Sequence, residues 1–145
     1  MRSSRGFTIV ELLIVIGVFA LFAGIATIVG TRSLRNTEFD RVRETIRMEL
    51  SSAQADTIGG TLDSAWGVAV FPNAVTRFRG STYATRVPAF DRTTTFGNAV
   101  IIGGASEVDF TRPFGLPASA TSITYTDGVY SATTTVSTAG AIDVQ

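Results

Sequence analysis

Few residues in this chain are equipped for chemistry. There is no Cys, His or Lys anywhere, which removes the imidazole base, the thiolate nucleophile, the Schiff-base amine and the soft metal ligands together. Carboxylates, hydroxyls and Arg remain. A pair of carboxylates of the glycosidase kind is still formally open, but the acidic residues of the C-terminal two-thirds are scattered, so no enzyme is predicted. Twelve Arg balance twelve acidic residues, and no global field draws the chain to nucleic acid or an anionic surface. Three groups stand out. Arg77, Arg79, Arg86 and Arg92, interleaved with Phe78 and Tyr83, are placed to touch phosphate, although solvated Arg on a loop and a strand face is the plainer reading. Glu107, Asp109 and Asp127 could lend oxygens to calcium, but none lies in the dense spacing of a calcium loop, and turn and strand-face positions explain them as well. Neither a metal nor a cofactor is predicted. The third group is a single residue, Glu11.

Glu11 is the one charge between Arg5 and Arg32, and the element that must position it is an apolar helix. The first six residues, MRSSRG, are basic and small, and an apolar run follows over residues 7–30. The 19 residues from 12 to 30 carry no charge and, at about 1.5 Å per residue, match the roughly 30 Å hydrocarbon layer of a bilayer. Arg2 and Arg5 ahead of the run leave the N-terminus in the cytoplasm. Three readings compete. A secretory signal peptide would be cut near Gly24-Ile25-Ala26, yet the run exceeds a typical h-region and continues past that point. An uncleaved signal anchor leaves Glu11 unexplained, since a carboxylate near the bilayer centre costs roughly 2.5 to 3.5 kcal/mol. The third reading is a family resemblance that rests on residues 5–16; on its own terms, Glu11 in the first turn of a helix has its charge favoured by the positive end of the dipole.

Beyond residue 30 the helical period continues but becomes amphipathic. Phe39, Val42, Ile46, Leu50 and Ala53 form one stripe, and the opposite face carries Glu38/Arg41, Asp40/Arg43 and Glu44/Arg47 three residues apart. Gly59-Gly60 predicts a left-handed C-terminal cap. A helix continuous over residues 7–58 is expected, with Gly17, Gly24 and Gly30 as its weak points. Residues 61–145 switch to period two. Strands are predicted at 65–71, 76–79, 99–102, 107–110, 122–126, 129–137 and 141–144, with a long loop at 81–98 and a two-residue hairpin turn at Asp127-Gly128. Trp66, Phe71, Phe78, Phe96 and Phe110 are candidates for the core. The expected fold class is α+β, a long N-terminal helix with an antiparallel sheet packed on its second half.

Residues 5–16, Arg-Gly-Phe-Thr-Ile-Val-Glu-Leu-Leu-Ile-Val-Ile, resemble the cleavage and methylation signal of type IV prepilins and type II secretion pseudopilins. The resemblance implies a leader at residues 1–6 removed by prepilin peptidase between Gly6 and Phe7, N-methylation of Phe7, and an assembly role for Glu11. It implies residues 7–30 as the transmembrane and assembly half of the helix. Residues 31–145 become a pilin head, made of an amphipathic helix half at 31–58 and a β-rich part at 61–145. The expected partners are other pilin subunits, the peptidase and an inner-membrane assembly platform. The expected location is the cytoplasmic membrane, single-pass with the head outside, then an extracellular or periplasmic filament. Unlike many pilins, the chain has no Pro before Pro72. Trp66-Gly67-Val68, Phe78-Arg79-Gly80 and the strand after Gly140 are similar to minor pilins and minor pseudopilins, some of which bind DNA or another ligand in uptake, adhesion or secretion. DNA-uptake heads of this kind carry Arg in the last strand, where this chain reads Gly-Ala-Ile-Asp-Val.

Overall fold

A computed structural model describes residues 8–145, with side chains described for 8–23 and 37–145. Gly6 and Phe7 lie outside the described residues. One helix, α1 (Ile9–Ile58), precedes nine strands: β1 (Trp66–Phe71), β2 (Ala74–Arg79), β3 (Arg92–Thr95), β4 (Ile101–Gly104), β5 (Glu107–Thr111), β6 (Leu116–Pro117), β7 (Thr121–Thr126), β8 (Ser131–Val136) and β9 (Ile142–Val144). The chain divides into two compact units at Asn36/Thr37. The helical backbone runs through Gly17, Gly24 and Gly30 without a break.

In the second unit the α+β expectation holds. The strands form two antiparallel sheets, β3-β2-β1-β5-β6 and β4-β7-β8-β9. Val42, Ile46, Leu50 and Ala53 of α1 are fully buried and Phe39 nearly so. They share one core with Val68, Val75, Val108 and Phe110 of the first sheet and Ile102, Ile123, Tyr125 and Val136 of the second. The apolar stripe thus faces two sheets at once, which is how one helix face covers the apolar side of nine short strands. Around the core sit specific polar ties. Thr57 Oγ1 donates to Ala53 O and accepts from Trp66 N. Gln54 Nε2 donates to the carbonyls of Gly115 and Gly140 at 3.0 and 2.9 Å, joining the β5–β6 turn to the loop before β9. Gly60 ends the helix at φ 65°, the left-handed cap that only Gly adopts without strain.

Several local expectations are corrected. The head has two sheets where one was expected. Within the predicted loop at 81–98, Arg92–Thr95 pairs with β2 as an edge strand, with Thr76 and Thr93 hydroxyls 2.9 Å apart across the pair. Leu116–Pro117 adds the two-residue strand β6. The β7–β8 hairpin turns one residue later than predicted. Asp127 N donates to Tyr130 O, so the tip is Gly128-Val129, and Asp127 Oδ1 accepts from the amides of Val129 and Tyr130. Four of the five aromatic core candidates are buried; Phe71, at the end of β1, is 36 % exposed.

Candidate assembly signal at the helix start

The residues that frame α1 prepare its N-terminus for a charge. Thr8 is the cap: its hydroxyl accepts from Glu11 N at 3.2 Å and its carbonyl from Leu12 N at 3.1 Å. One of the orphan amides of the first turn is thereby satisfied. The pattern Thr8-Ile9-Val10-Glu11 is the Thr-x-x-Glu signature of a helix start, a signal present in the sequence that the reading of an unbroken helix from residue 7 passed over. Glu11 sits in the first turn, where the helix dipole favours its charge, and its side chain is exposed.

What surrounds Glu11 is apolar on every side. From Ile9 to Phe22 eleven large apolar side chains are exposed, from 42 % at Val15 to 79 % at Ile9. A helix apolar all round is made to be buried in lipid or protein, and no part of the second unit's core is made from these residues. Among the described residues no helix is long and apolar enough to cross a membrane; the side-chain description stops at residue 23, inside the span predicted for residues 7–30.

Of the Arg cluster, Arg77, Arg79 and Arg86 find internal partners, whereas Arg92 on β3 is exposed. Arg77 is half-buried against α1, its Nε 3.3 Å from Glu49 and its Nη1 2.8 Å from Asp56, with its guanidinium 5.9 Å from the Trp66 ring. Arg79 donates to Leu62 O and lies 4.9 Å from the Phe90 ring. Arg86 pairs with Asp91 at 2.8 Å, which raises its pKa, and covers the ring of Tyr83 at 3.7 Å. For Arg77 and Arg86, binding phosphate would mean breaking ion pairs that the fold uses. The three predicted helix-face pairs form at 3.2, 3.7 and 3.9 Å. Glu38 also accepts from Gly97 N. Glu107 and Asp109 are neighbours on one face of β5, whereas Asp127 is engaged in the β7–β8 turn. Among the described residues no three acidic side chains gather to hold a metal. Burial and the Thr134 hydroxyl act in opposite senses on Tyr125, burial being the larger, and its phenol pKa is raised.

The family model of the prokaryotic N-terminal methylation motif matches residues 1–27. The chain carries a prepilin-type signal. No curated protein and no solved structure matches the chain. The prepilin-type signal supports a protein of the type IV pilin and pseudopilin family and points to a membrane-anchored pilin precursor. It also implies processing by a peptidase and assembly with other pilin subunits. Glu11 and its cap lie inside the matched residues, and the folded second unit lies wholly outside them.

Proposed function

We propose that the chain is a structural subunit of a type IV pilus-like filament. Prepilin peptidase cuts between Gly6 and Phe7, Phe7 becomes the methylated N-terminus, and the apolar half of α1 holds the subunit in the cytoplasmic membrane until it enters the filament. The observation that carries this is the sleeve of eleven exposed apolar side chains around one carboxylate, inside a prepilin-type signal. Moving such side chains out of water is worth roughly 1.5 to 3 kcal/mol each when complete, so the sleeve supplies on the order of 20 kcal/mol toward lipid or neighbouring helices. That outweighs the roughly 2.5 to 3.5 kcal/mol set against it by Glu11. A carboxylate carried at that cost needs a use, and in this reading it meets the Phe7 amine of a neighbouring subunit.

The test is Glu11→Ala at matched expression. Membrane insertion is expected to be as good as in the wild type or better, because a charge leaves the apolar segment, and cleavage is expected to persist. The ratio of protein in sheared filaments to protein left in the membrane should fall at least tenfold, on the order of the cost of an unpaired buried charge. A ratio equal to that of the wild type contradicts the pairing.

A further inference from the structure

The first sheet has an outer face, turned away from α1, and a segment of chain lies across it. Residues 81–91 leave β2 and return to β3 by way of two short 3-10 turns, Tyr83–Thr85 and Pro88–Phe90. This strap is braced within itself. The hydroxyls of Thr82 and Thr85 are 2.7 Å apart, and Arg86 holds Asp91 through Nε and the Tyr83 carbonyl through Nη1. It is tied to the end of β2 by Val87 N donating to Arg79 O. Its middle rests on the sheet through Tyr83. The ring stands edge-on to Phe71 and Phe78, both centroids 5.4 Å away, and the Tyr83 amide donates to the Glu107 carboxylate on β5.

Behind that contact is Asp109, two residues along the same face of β5. Gly67 of β1 is its paired neighbour, and the fit there is close: a Cβ on Gly67 would come within 2.6 Å of the Phe78 ring and 2.7 Å of Asp109 Oδ1. That oxygen is buried without a hydrogen-bond partner. The groups facing it are uncharged on β1 and β2, where it meets Gly67 and Phe78. From its own strand comes Glu107. On the strap, the Tyr83 amide donates to Glu107 and Arg86 is committed to Asp91. An ionised Asp109 would therefore have a carboxylate for its nearest charged neighbour and no cation to offset it.

We infer that residues 81–91 form a proton-held strap, in which a proton shared by Asp109 and Glu107 keeps Glu107 in place to accept from the Tyr83 amide, and loss of that proton lifts Tyr83 off Phe78. The shared proton gives Asp109 a donor role toward Glu107, and leaves one negative charge where two would repel. Burial first, and then the hydrogen bond and charge of Glu107, raise the Asp109 pKa to about 7, so the strap responds near neutrality. Release would uncover Phe78, which is now fully buried, and would turn an outer sheet face covered by chain into an apolar one.

The test is hydrogen–deuterium exchange of the full chain in detergent micelles from pH 5.5 to 8.5, read by mass spectrometry and corrected for the intrinsic pH dependence of exchange. Protection of the peptide containing Tyr83 should fall roughly tenfold across that range in the wild type, the equivalent of about one pKa unit of coupling. Peptides covering Val42 to Leu50 should hold their protection throughout. In Asp109→Asn, and in Glu107→Gln, whose amide oxygen still accepts from Tyr83, the strap peptide should stay protected at both ends of the range. A flat wild-type profile overturns the proposal. So does a strap that loosens only in step with the helix, or a pH dependence that survives in Glu107→Gln, the variant that decides if Asp109→Asn does not fold.

Discussion

Residues 9–22 and residues 37–58 belong to one helix, yet they treat apolar side chains in opposite ways. In the second stretch Val42, Ile46, Leu50 and Ala53 are wholly buried while Arg41, Arg43, Glu44 and Arg47 face out. In the first, Leu12, Leu13, Ile14 and Phe19 are all more than half exposed, and the lone charge is Glu11. Helix propensity does not separate the two; the difference is what each stretch packs against. The 37–58 half meets its partners within its own chain, so its sequence records them as a stripe of period 3.6. The 9–22 half has no such stripe, because any partner it has surrounds it.

The comparison is broken most severely by equal deletions in the two stretches. Leu50→Ala removes a fully buried side chain and should destabilise the fold by about 2–5 kcal/mol, seen as a lower melting temperature of the detergent-solubilised chain. Leu13→Ala, at 62 % exposure, should leave that melting temperature within error. Equal losses would mean that the first stretch has intramolecular partners.

Arg77→Ala probes the ionic side of the same helix–sheet contact. It leaves Glu49, 8 % exposed, and Asp56 facing a buried void in place of a guanidinium. Removing one partner of a buried pair costs about 3 kcal/mol or more, so urea denaturation should show a loss of about that size. Restoring charge balance with Glu49→Gln in the same chain should recover part of it. A cost under about 0.5 kcal/mol would mark the triad as a surface pair.

The smallest expected effect is that of pH on the head. Folding raises Asp109 from its ordinary 3.8 to about 7. The folded chain therefore keeps a proton that the unfolded chain gives up near pH 4. The associated stability is full below about pH 4 and is lost as pH rises toward 7, with little further change above. Allowing for solvent screening of a half-buried group, the loss is about 2 kcal/mol. Asp109→Asn should flatten this part of the stability–pH curve. An unchanged slope in the variant would assign it to another group.

How much of this the sequence disclosed varied by element. The stripe from Phe39 to Ala53 and its three surface ion pairs were legible because helix neighbours lie at fixed short spacings. β1 was legible from its apolar run, and the glycine stop after Ile58 from its chemistry. β3 was not, because Arg92-Thr93-Thr94-Thr95 buries little of its own and exists as an edge paired to β2. β6 escaped notice because two residues ending in Pro carry no period. The hairpin tip shifted because the Asp127 carboxylate captures the amides of Val129 and Tyr130 and so takes the place before the turn. Arg77 looked like part of a basic cluster, since its partners Glu49 and Asp56 are 28 and 21 residues away; no local pattern joins residues that meet only through the tertiary fold. At the signal, Glu11 was legible as a misplaced charge, whereas Thr8 was hidden inside the apolar run.

The central claim, that the N-terminal dozen residues are a processing and assembly signal attached to an independently packed head, is tested most directly by the intact mass of the protein from native membranes. The account predicts a chain that begins at Phe7 and carries one methyl group on its amine. A chain that still begins at Met1, or one cut after Ala26 to begin at Thr27, would contradict it.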